Sequence, residues 1–455
     1  MKNRLRPNVK KNAFLLILTI AFYGVVQAQY TSLFDGKSLK GWKVLGGKAT
    51  FTAEDGMIVG TTVANTGNSF LTTEKNYSNF ILEVDFKIED TANNSGVMVR
   101  SHFDAPNNRV FGRQVEIDPS SRKWSGGIYD EQRRGWLYPL TLNTNAQDAF
   151  LPDAFNHLKI ECIGNETKTW LNNKPVAYVV DTIDKEGFIG LQVHAVNNES
   201  HAGKKVFFKN IRLKTKNVKP SAFEKNIYVV NLKPNNLTQY EKANGWKLLF
   251  DGNSSKGWKS ARGQSFPAKG WVIENGNLTV LPSEGKESAN GGDIVTDGEF
   301  SAFDLSFSFK TATGANSGVK YFVTLNEKTE GSAIGLEYQI LDDSLHPDAK
   351  LGIAGNRTLA SVYDLIKADK QKRFIRPVTE WSWGRIVVHR DNRVEHFLNG
   401  TKVLEYVRGS EEYRKLVAQS KYKIWPNFGE AKKGHILLQD HGDAVSFRNI
   451  KIKEL

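Results

Sequence analysis

Apolar residues recur at every second position along much of the chain. The clearest runs cover residues 80–88, 158–162 and 303–309, where the intervening residues are mostly polar or charged. Alternation of this kind places one face of a β-strand against a core and turns the other face toward solvent. These runs therefore predict half-buried strands.

Turn signals separate the predicted strands, and helical patterns are scarce. Dipeptides such as Asn275-Gly276 are typical of tight turns between strands. Short helices are predicted only at about 361–370 and 410–419. Many short antiparallel strands in each half of the chain indicate a β-sandwich or jelly roll. The predicted fold class is therefore all-β.

The chain contains two copies of one long sequence pattern. Six short motifs recur in the same order, at corresponding positions of the two copies. The matching motifs are Leu33-Phe34-Asp35-Gly36 and Leu249-Phe250-Asp251-Gly252, Lys40-Gly41-Trp42-Lys43 and Lys256-Gly257-Trp258-Lys259, Asn94-Ser95-Gly96-Val97 and Asn316-Ser317-Gly318-Val319, Leu171-Asn172-Asn173 and Leu398-Asn399-Gly400, Leu191-Gln192-Val193-His194 and Leu438-Gln439-Asp440-His441, and Phe208-Lys209-Asn210-Ile211 and Phe447-Arg448-Asn449-Ile450. The repeat interval exceeds 200 residues, which indicates a tandem domain duplication and not a solenoid. We predict domain 1 at 30–216, a connector at 217–244 and domain 2 at 245–455.

Residues 1–28 have the pattern of a secretory signal peptide. A basic start precedes an apolar stretch from Ala13 to Val26, and Val26-Gln27-Ala28 is a small-x-small cleavage signal. The apolar stretch is too short to span a bilayer comfortably. We therefore expect an exported protein, periplasmic or extracellular, with no stable membrane anchor after cleavage.

Composition and charge exclude several classes of protein. Hydrophobic residues make up 40% of the 455 residues and charged residues 24%, so the chain can bury enough apolar area to fold. The formal net charge of +13 falls to +8 without the five basic residues of the leader, and the excess is spread along the chain. No nucleic-acid-binding pattern accompanies it, so we interpret it as solvated surface charge and expect no nucleic-acid partner. A single cysteine, Cys162, excludes an internal disulfide and a thiolate metal cluster.

Strand periodicity groups the polar residues that could carry chemistry, because residues i and i+2 share a face. In domain 2, Glu337 and Gln339 form one such pair, and Gln439 and His441 form another. The corresponding residues of domain 1 are Gln114, Glu116, Asp118, Gln192 and His194. If the sheet is concave, the two strands of each copy converge on one polar patch. The alternative is that these are ordinary solvent-facing strand positions.

Loops supply further candidates for binding a sugar. In domain 1 the segment 126–136 combines glycines, acids, a guanidinium and an indole; its candidate residues are Tyr129, Asp130, Glu131, Arg134 and Trp136. The alternative is a surface salt-bridge cluster with Trp136 packed into the core. In domain 2, Tyr363 and Asp364 occupy a comparable place, and the basic stretch 367–376 that follows is expected to be a solvated loop.

These motifs resemble one known family, the 3-keto-disaccharide hydrolase domains, which have a concanavalin A-like lectin/glucanase sandwich. The resemblance covers nearly all of domain 2, and its motifs there are Leu249 to Trp258, Trp271, Asn275-Gly276, Asn316 to Val319, Glu337 to Asp342, Glu380-Trp381, Glu395 to Gly400, Gly434 to Gly442 and Phe447 to Ile450. The motif at Glu395 adds His396 to the substrate-binding candidates. Domain 1 matches throughout in a variant form, in which Gln114 and Glu116 exchange the usual Glu and Gln and Phe155-Asn156 replaces Trp-Asn. Domain 2 has Ser382 at the usual Asn. The resemblance implies two tandem concanavalin A-like jelly-roll sandwiches.

The resemblance also implies cleavage of glycosides that are oxidised at C3 of the sugar. A ketone at C3 acidifies the C2 proton, so a base can remove it and expel the aglycone, after which water adds back. His441 and His194 are candidate bases, because the pKa of imidazole suits proton transfer near neutral pH. Glu337 and Glu116 could position hydroxyls, protonate the leaving group or hold a divalent ion. The sequence commits to no cofactor, and a divalent metal stays open because no tight ligand spacing such as H-E-x-x-H occurs.

Two other functions compete with this one. Glu116-Ile117-Asp118 resembles the start of the E-x-D-x-x-E motif of jelly-roll glucanases, but Ser121 stands at the second carboxylate, and retaining hydrolysis needs two carboxyl groups. A non-catalytic carbohydrate-binding protein is the stronger rival, since lectins widely use this sandwich and one copy could bind while the other catalyses. All three functions take a small-molecule or oligosaccharide glycoside as ligand. The oligomeric state is not predicted.

Overall fold

A computed structural model describes Met1 and residues 30–90, 93–328 and 333–455 of the chain. The predicted leader therefore lies outside the described residues, apart from Met1. The described chain is built mainly of β-strands arranged in four sheets. The all-β prediction is confirmed.

Fifteen described strands belong to domain 1, and they correspond in order to most of the strands of domain 2. They are β1 (Thr31–Ser32), β2 (Trp42–Gly46), β3 (Thr50–Glu54), β4 (Met57–Thr61), β5 (Ser69–Thr73), β6 (Phe80–Ile88), β7 (Ser95–Asp104), β8 (Arg109–Ile117), β9 (Ile128–Glu131), β10 (Gly135–Tyr138), β11 (Asn156–Ile163), β12 (Glu166–Leu171), β13 (Lys174–Val180), β14 (Phe188–Val193) and β15 (Lys205–Lys214). The connector adds β16 (Val230–Asn231) and helix α1 (Gln239–Ala243).

Domain 2 contains thirteen described strands and one α-helix. They are β17 (Lys247–Leu248), β18 (Trp258–Ser260), β19 (Trp271–Glu274), β20 (Asn277–Val280), β21 (Ile294–Thr296), β22 (Phe303–Thr311), β23 (Asn316–Lys328), β24 (Ala333–Leu341), β25 (Ser382–Val388), β26 (Arg393–Leu398), β27 (Thr401–Val407), α2 (Glu411–Gln419), β28 (His435–Leu438) and β29 (Val445–Glu454). Short 3-10 helices lie at Leu140–Leu142, Thr144–Ala149, Glu199–His201, Pro347–Lys350, Lys372–Phe374 and Lys421–Ile424.

Each half of the chain is a sandwich of two sheets. In domain 1 the sheet β16-β13-β12-β11-β6-β15-β4-β3, with β1 beside β15, faces the sheet β10-β9-β8-β7-β14-β5-β2. In domain 2 the sheet β19-β20-β29-β22-β25-β26-β27, with β17 beside β29, faces the sheet β18-β21-β28-β23-β24. Apolar side chains on the inner faces meet between the sheets; Tyr338 packs edge-on against Phe307 across the domain 2 core with ring centroids 5.2 Å apart.

One of the two helix predictions is confirmed. Helix α2 covers 411–419 because Ser410 caps its first turn by accepting a hydrogen bond from the Tyr413 amide. The prediction of a helix at 361–370 is wrong. That segment is a bridged turn in which Val362 pairs with Ile366 and Asp364 has a left-handed φ of 59°. Its apolar residues are buried against the neighbouring strand and not along a helix face.

The connector joins the two sandwiches through buried contacts. β16 runs parallel to β13 and forms the edge of the domain 1 sheet that contains β6 and β11 to β13. In α1, the Glu241 carboxylate accepts a hydrogen bond from Lys451 of β29, and both side chains are buried. Tyr228 stacks on Trp383 of domain 2 with ring centroids 5.9 Å apart. The buried cluster around domain 1 therefore continues into domain 2.

None of the helices in the described part of the chain is long and apolar enough to cross a membrane.

Candidate functional site

Two adjacent strands of domain 2 and the segment that follows a third strand line a cavity of about 400 Å³. The two strands are β23 and β24, the segment follows β28, and the cavity lies on the face that points away from the sandwich core. Its polar residues include Asn316, Lys320, Glu337, Gln339, Gln439 and His441, and the charged residues Glu287 and Lys421 also line it. The structure thus brings together the two predicted polar pairs, although Gln439 and His441 lie just after β28 and not within a strand.

Glu337 lies in the floor of this cavity and is buried. Its carboxylate lies directly over Gly318, where a Cβ would come within 2.3 Å of Glu337 Oε1. The side-chain amide of Gln339 lies 3.0 Å from Glu337 Oε1, and we assign its NH2 group to that side because it then donates to the carboxylate. Glycine at position 318 therefore provides the space that the carboxylate occupies.

Lys320 is the cation nearest to this carboxylate among the described ion pairs, with its Nζ 4.0 Å from Glu337 Oε2. The two residues are directly opposed on β23 and β24. Burial raises the pKa of the Glu337 carboxyl, and the positive charge of Lys320 partly opposes that rise. The result is a carboxylate that is more basic than an exposed one but that keeps a cation beside it.

Gln439 and His441 form the side of the cavity next to β23. Two hydrogen bonds fix the backbone of Gln439. Its backbone N–H donates to the Gly318 carbonyl, and its backbone carbonyl accepts from the Ser317 hydroxyl. Gln439 Oε1 is buried and has no hydrogen-bond partner in the described structure. His441 Nε2 lies 3.3 Å from the side-chain amide nitrogen of Asn316. An unpaired amide oxygen facing a cavity is suited to a ligand hydroxyl.

Aromatic side chains form the opposite wall. Tyr363, Tyr422 and Trp425 line the cavity and offer apolar faces to a sugar ring. Asp364 lies behind them, where its carboxylate accepts hydrogen bonds from Arg357 Nε at 2.7 Å and from the Lys421 amide at 2.9 Å. Tyr363 therefore lies where the prediction put it, whereas Asp364 positions the wall and does not line the cavity.

The prediction that His396 contacts the substrate is wrong. His396 is fully buried between the two sheets of domain 2, where one ring nitrogen is 2.9 Å from the Tyr321 hydroxyl and the other is 3.0 Å from the Ala360 carbonyl. Burial lowers its pKa to about 4. Since it shares the inner face of β26 with Val394 and Leu398, it packs in the core.

Domain 1 has a corresponding cavity of about 360 Å³. Its polar residues include Asn94, Gln114, Glu116, Gln192 and His194, and Trp136 forms part of its wall. The structure therefore also gathers the predicted residues of domain 1 at the equivalent place.

Strand register shows how the two cavities differ. The opposed pairs in domain 2 are Gly318 with Gln339 and Lys320 with Glu337, and those in domain 1 are Gly96 with Glu116 and Met98 with Gln114. Domain 1 thus has Met98 and Gln114 where domain 2 has Lys320 and Glu337. The buried ammonium–carboxylate pair of domain 2 is replaced in domain 1 by a thioether and an amide.

Glu116 of domain 1 is a buried carboxyl held by two amides. Asn94 Nδ2 donates to one oxygen at 2.9 Å, and Gln114 Nε2 donates to the other at 2.8 Å. Burial raises the pKa of Glu116 to about 8, although the hydrogen bond from Gln114 lowers it. Near neutral pH this carboxyl can hold a proton and donate it in a hydrogen bond.

Gln192 lies in the same cavity and is the most incompletely bonded side chain there. It is 0% exposed, and neither its Oε1 nor its Nε2 has a hydrogen-bond partner in the described structure. The oxygen of Asn94 and that of Gln114 are likewise buried and unpaired. A buried amide without a hydrogen-bond partner destabilises the folded protein unless water or a ligand bonds to it.

Not all the loop predictions for domain 1 are supported. Tyr129, Glu131 and Trp136 line the cavity. Asp130 and Arg134 do not, because Asp130 is on the other face of β9, where it pairs with Arg134 at 2.5 Å. Arg134 also pairs with Asp181 at 2.6 Å. The assignment of Asp130 and Arg134 to sugar binding is therefore corrected to a buried ion-pair network.

Asp118 occupies an intermediate position. Its carboxylate is 3.0 Å from Arg122 Nε, and Arg122 lines the domain 1 cavity. Asp118 itself lines an adjoining cavity next to His194. It therefore orients Arg122 at the edge of the predicted site.

The basic stretch 367–376 is not simply a solvated loop. Phe374 is buried, with its ring centroid 5.8 Å from that of Trp124 in domain 1. The preceding residue, Arg373, lines the domain 1 cavity. The expectation of a free loop is wrong because this segment of domain 2 closes one side of the other domain's site.

Sequence reasoning missed several residues of the domain 2 cavity. Lys320, Tyr422 and Trp425 were not singled out. For Lys320 a signal was present, since it shares a strand face with Asn316 and Gly318 of a recurring motif, and Met98 replaces it in the other copy. Tyr422 and Trp425 follow helix α2 in a segment with no counterpart motif, so no pattern pointed to them.

One group of side chains near this cavity has the chemistry of metal ligands. His346, His441 and Asp443 each offer one ligand atom, and these atoms lie within 4.8 Å of one another. Burial and the neighbouring His441 lower the pKa of His346.

Both halves of the chain are similar to known proteins of one family. A family model described as a 3-keto-alpha-glucoside-1,2-lyase-like domain matches residues 29–214 and again 245–453. The chain is similar to a 3-keto-disaccharide hydrolase of Bacteroides thetaiotaomicron, with 36% identity over 234 residues that cover 47% of this chain and 79% of that protein.

Among solved structures, the chain is similar to two candidate glycosyl hydrolases from Parabacteroides distasonis. The first is 31% identical with a TM-score of 0.42, and the match covers 49% of this chain and 100% of that one. The second is 27% identical with a TM-score of 0.36, and the match covers 47% of this chain and 100% of that one.

Proposed function

The chain belongs to the family of 3-keto-alpha-glucoside-1,2-lyase-like domains, and from that premise we propose that its domain 2 cavity cleaves glycosides carrying a ketone at C3 of the sugar. Glycoside cleavage follows from the family and from the similarity to a 3-keto-disaccharide hydrolase. The choice of domain 2 rests on one observation, the buried Glu337–Lys320 pair in the floor of a cavity large enough for a sugar.

The proposed reaction is an elimination followed by hydration. A base takes the proton from C2, which the ketone at C3 has acidified, and negative charge develops on the C3 oxygen. The C1–C2 double bond forms as the C1–O bond breaks, and the aglycone leaves with a proton. Water then adds its hydroxyl to C1 and a proton to C2. The sum of the two steps is hydrolysis of the glycoside.

We assign the removal of the C2 proton to Glu337. Burial raises the pKa of its carboxyl, so the ionised form is a stronger base than an exposed glutamate. Lys320 faces the same space and can stabilise the charge that develops on the C3 oxygen. His441, the base predicted from the sequence, lies on the adjoining wall beside Asn316 and contacts the sugar from that side.

For domain 1 we propose binding of a saccharide without cleavage. Met98 and Gln114 replace the ammonium–carboxylate pair at these two positions, and the one buried carboxyl on that strand face, Glu116, is held by the amides of Asn94 and Gln114 and not opposed by a lysine. The fully buried, unpaired amide of Gln192 favours a ligand with hydroxyl groups, which can both donate to and accept from an amide. This is the carbohydrate-binding function that the sequence left open, confined to one of the two domains.

A paired substrate assay tests the catalytic proposal. The purified mature chain is incubated with a 3-keto-glycoside and with the unoxidised parent glycoside, and release of the aglycone is followed. We expect release from the keto form only, because only a C3 ketone acidifies C2. Glu337→Gln should lower the rate by about 10²–10⁴, the range for loss of a general base.

Glu299→Gln is the matched control, since it removes one carboxylate from a surface pair with Lys433. Release from the unoxidised parent at a comparable rate would instead favour ordinary glycosidase chemistry. Release from neither substrate would leave a purely carbohydrate-binding protein.

Saccharide binding by domain 1 is measured in the Glu337→Gln background by titration calorimetry with the unoxidised parent glycoside. We expect binding that Gln192→Ala weakens by about tenfold or more, since loss of a buried hydrogen-bonding group costs roughly 1–3 kcal/mol. Unchanged affinity in Gln192→Ala would contradict the proposal.

A further inference from the structure

Two imidazoles and one carboxylate meet beside the domain 2 cavity. His441 and Asp443 lie just after β28, and His346 lies in the loop after β24. One ligand atom from each falls within 4.8 Å of the others, and the two imidazole rings are nearly perpendicular, with centroids 6.0 Å apart. Within the described ranges, this is the single group of three such ligands.

Neighbouring hydrogen bonds hold the three side chains in place. The Asp348 amide donates to His346 Nδ1 at 3.2 Å, which leaves Nε2 of that ring for another partner. The backbone N–H of Asn316 donates to one oxygen of Asp443 at 2.9 Å. The side-chain amide nitrogen of Asn316 lies 3.3 Å from His441 Nε2. Metal-binding side chains are commonly oriented by such outer contacts.

We infer that His346, His441 and Asp443 bind a divalent first-row transition-metal ion. Two imidazoles and a carboxylate suit zinc, cobalt, manganese or iron, whereas magnesium and calcium prefer oxygen ligands alone. Ligand atoms about 2.0–2.2 Å from a tetrahedral zinc ion lie roughly 3.3–3.6 Å apart, about 1 Å closer than the 4.8 Å within which the three atoms lie here. Small side-chain rotations therefore bring the three atoms into range.

The two domains differ at this site as well. The repeat aligns His194 with His441 and Val196 with Asp443. In domain 1, His194 Nδ1 is 2.8 Å from the Ala195 carbonyl, and Val196 is a buried apolar residue. We therefore expect one metal ion per chain and not two.

The position of the ion relative to the cavity gives it a role. His441 lines the cavity, so an ion bound to it lies against the cavity wall. Three protein ligands leave coordination positions open for water or for a substrate oxygen, which the ion would polarise. His441 then acts as a ligand, and Glu337 remains the base. The site itself rests on the three side chains and does not depend on the proposed function.

Metal titration of the full chain tests the inference. The protein is freed of metal with a chelator and titrated with Zn²⁺ by calorimetry and with Co²⁺ by visible absorption, and bound metal is counted by elemental analysis. We expect one equivalent per chain. Asp443→Val, which installs the domain 1 residue, and His346→Ala should each weaken binding by about 100-fold or more, because loss even of outer-shell partners costs 10–100-fold.

Asp391→Asn is the matched control, since it removes an exposed carboxylate that is not one of the three proposed ligands and should leave the titration unchanged. If Asp443→Val does not fold, His346→Ala in its exposed loop provides the same test. No binding to the wild-type chain, or wild-type affinity in both variants, would overturn the inference. Metal binding without cleavage of 3-keto-glycosides would support this site and contradict the proposed function. Cleavage by a chain that binds no metal would support the proposed function and overturn the metal site.

Discussion

At the scale of single residues, the chemistry depends on what lies opposite one carboxylate. Glu337 on β24 lies directly opposite Lys320 on the neighbouring strand β23, whereas the corresponding positions in domain 1 hold Gln114 and Met98. The carboxylate can act as a base because burial raises its pKa, and the lysine limits that rise and supplies positive charge to the developing oxyanion. Neither residue alone would provide both effects.

Lys320→Met, which copies domain 1, separates these effects. Activity requires the ionised form of Glu337, so kcat/KM should rise with pH through the pKa of this carboxyl. Without the lysine the pKa of Glu337 rises further, and the acidic limb of the profile should move to higher pH. At the plateau, kcat should fall by about 10²–10³, as for loss of one oxyanion donor.

The measurement is a pH profile of wild type and variant on the same 3-keto-glycoside. A reduced plateau with an unmoved acidic limb would mean that Lys320 acts only on the substrate. An unchanged profile would remove Lys320 from the mechanism.

At the scale of strands and turns, periodicity predicted more than the loops did. The alternating run at 80–88 forms β6 with the same bounds, and the i, i+2 rule correctly put Glu337 with Gln339 on one face of β24. Gln439 and His441 also line the cavity, but they lie just beyond the end of β28. The same rule should have separated Asp130 from Tyr129 and Glu131 and placed His396 in the core with Val394. Those two errors came from reading a motif as a unit and not strand face by strand face.

Some features could not be predicted because they depend on contacts far apart in sequence. Phe374 sits in a basic stretch, and only its packing against Trp124 shows that this segment covers the other domain's cavity. Likewise, no local pattern separates the bridged turn at 362–366 from a helix, because both bury a run of apolar residues.

Gly318 tests the contribution of β23 to the site. A Cβ at this position would lie 2.3 Å from Glu337 Oε1 and 2.8 Å from its Cδ and Cγ, so the Glu337 side chain must move aside. Gly318→Ala should therefore fold with a melting temperature close to that of wild type but lose about 10²-fold or more in kcat/KM, because the displaced carboxylate no longer reaches C2.

Gly298→Ala is the control for this variant, since its Cβ would have only an ordinary contact of 3.8 Å with Phe300. Both activity and thermal unfolding are measured for each protein. Full activity in Gly318→Ala would show that the position of the Glu337 carboxylate is not critical.

At the scale of the whole molecule, the connector and one loop of domain 2 make the two sandwiches interdependent. Tyr228 stacks on Trp383, Glu241 pairs with Lys451, and Phe374 belongs to the buried apolar cluster that forms the core of domain 1. Arg373 places a cation from domain 2 in the domain 1 cavity. The domains are thus joined by a core and not by a free linker. Export remains a prediction of the leader sequence, which lies outside the described residues.

Phe374→Ala tests this coupling. Removing a buried phenylalanine should lower the free energy of unfolding by roughly 3–5 kcal/mol. Because Arg373 is adjacent, saccharide binding by domain 1 should also weaken, while cleavage at the separate domain 2 cavity persists in the folded protein. Chemical denaturation and titration calorimetry measure the two effects. Unaltered stability would mean that the interdomain contact contributes little.

If Glu337 removes the C2 proton of a 3-keto-glycoside, hydrogen from the solvent must enter at that carbon during cleavage. The reaction is run in D2O, and the C2 position of the released sugar is analysed by NMR. We expect solvent deuterium at C2 of the product with the wild-type chain, and loss of both exchange and cleavage with Glu337→Gln. Release of the aglycone with the substrate's own hydrogen retained at C2, or wild-type exchange in Glu337→Gln, would contradict it.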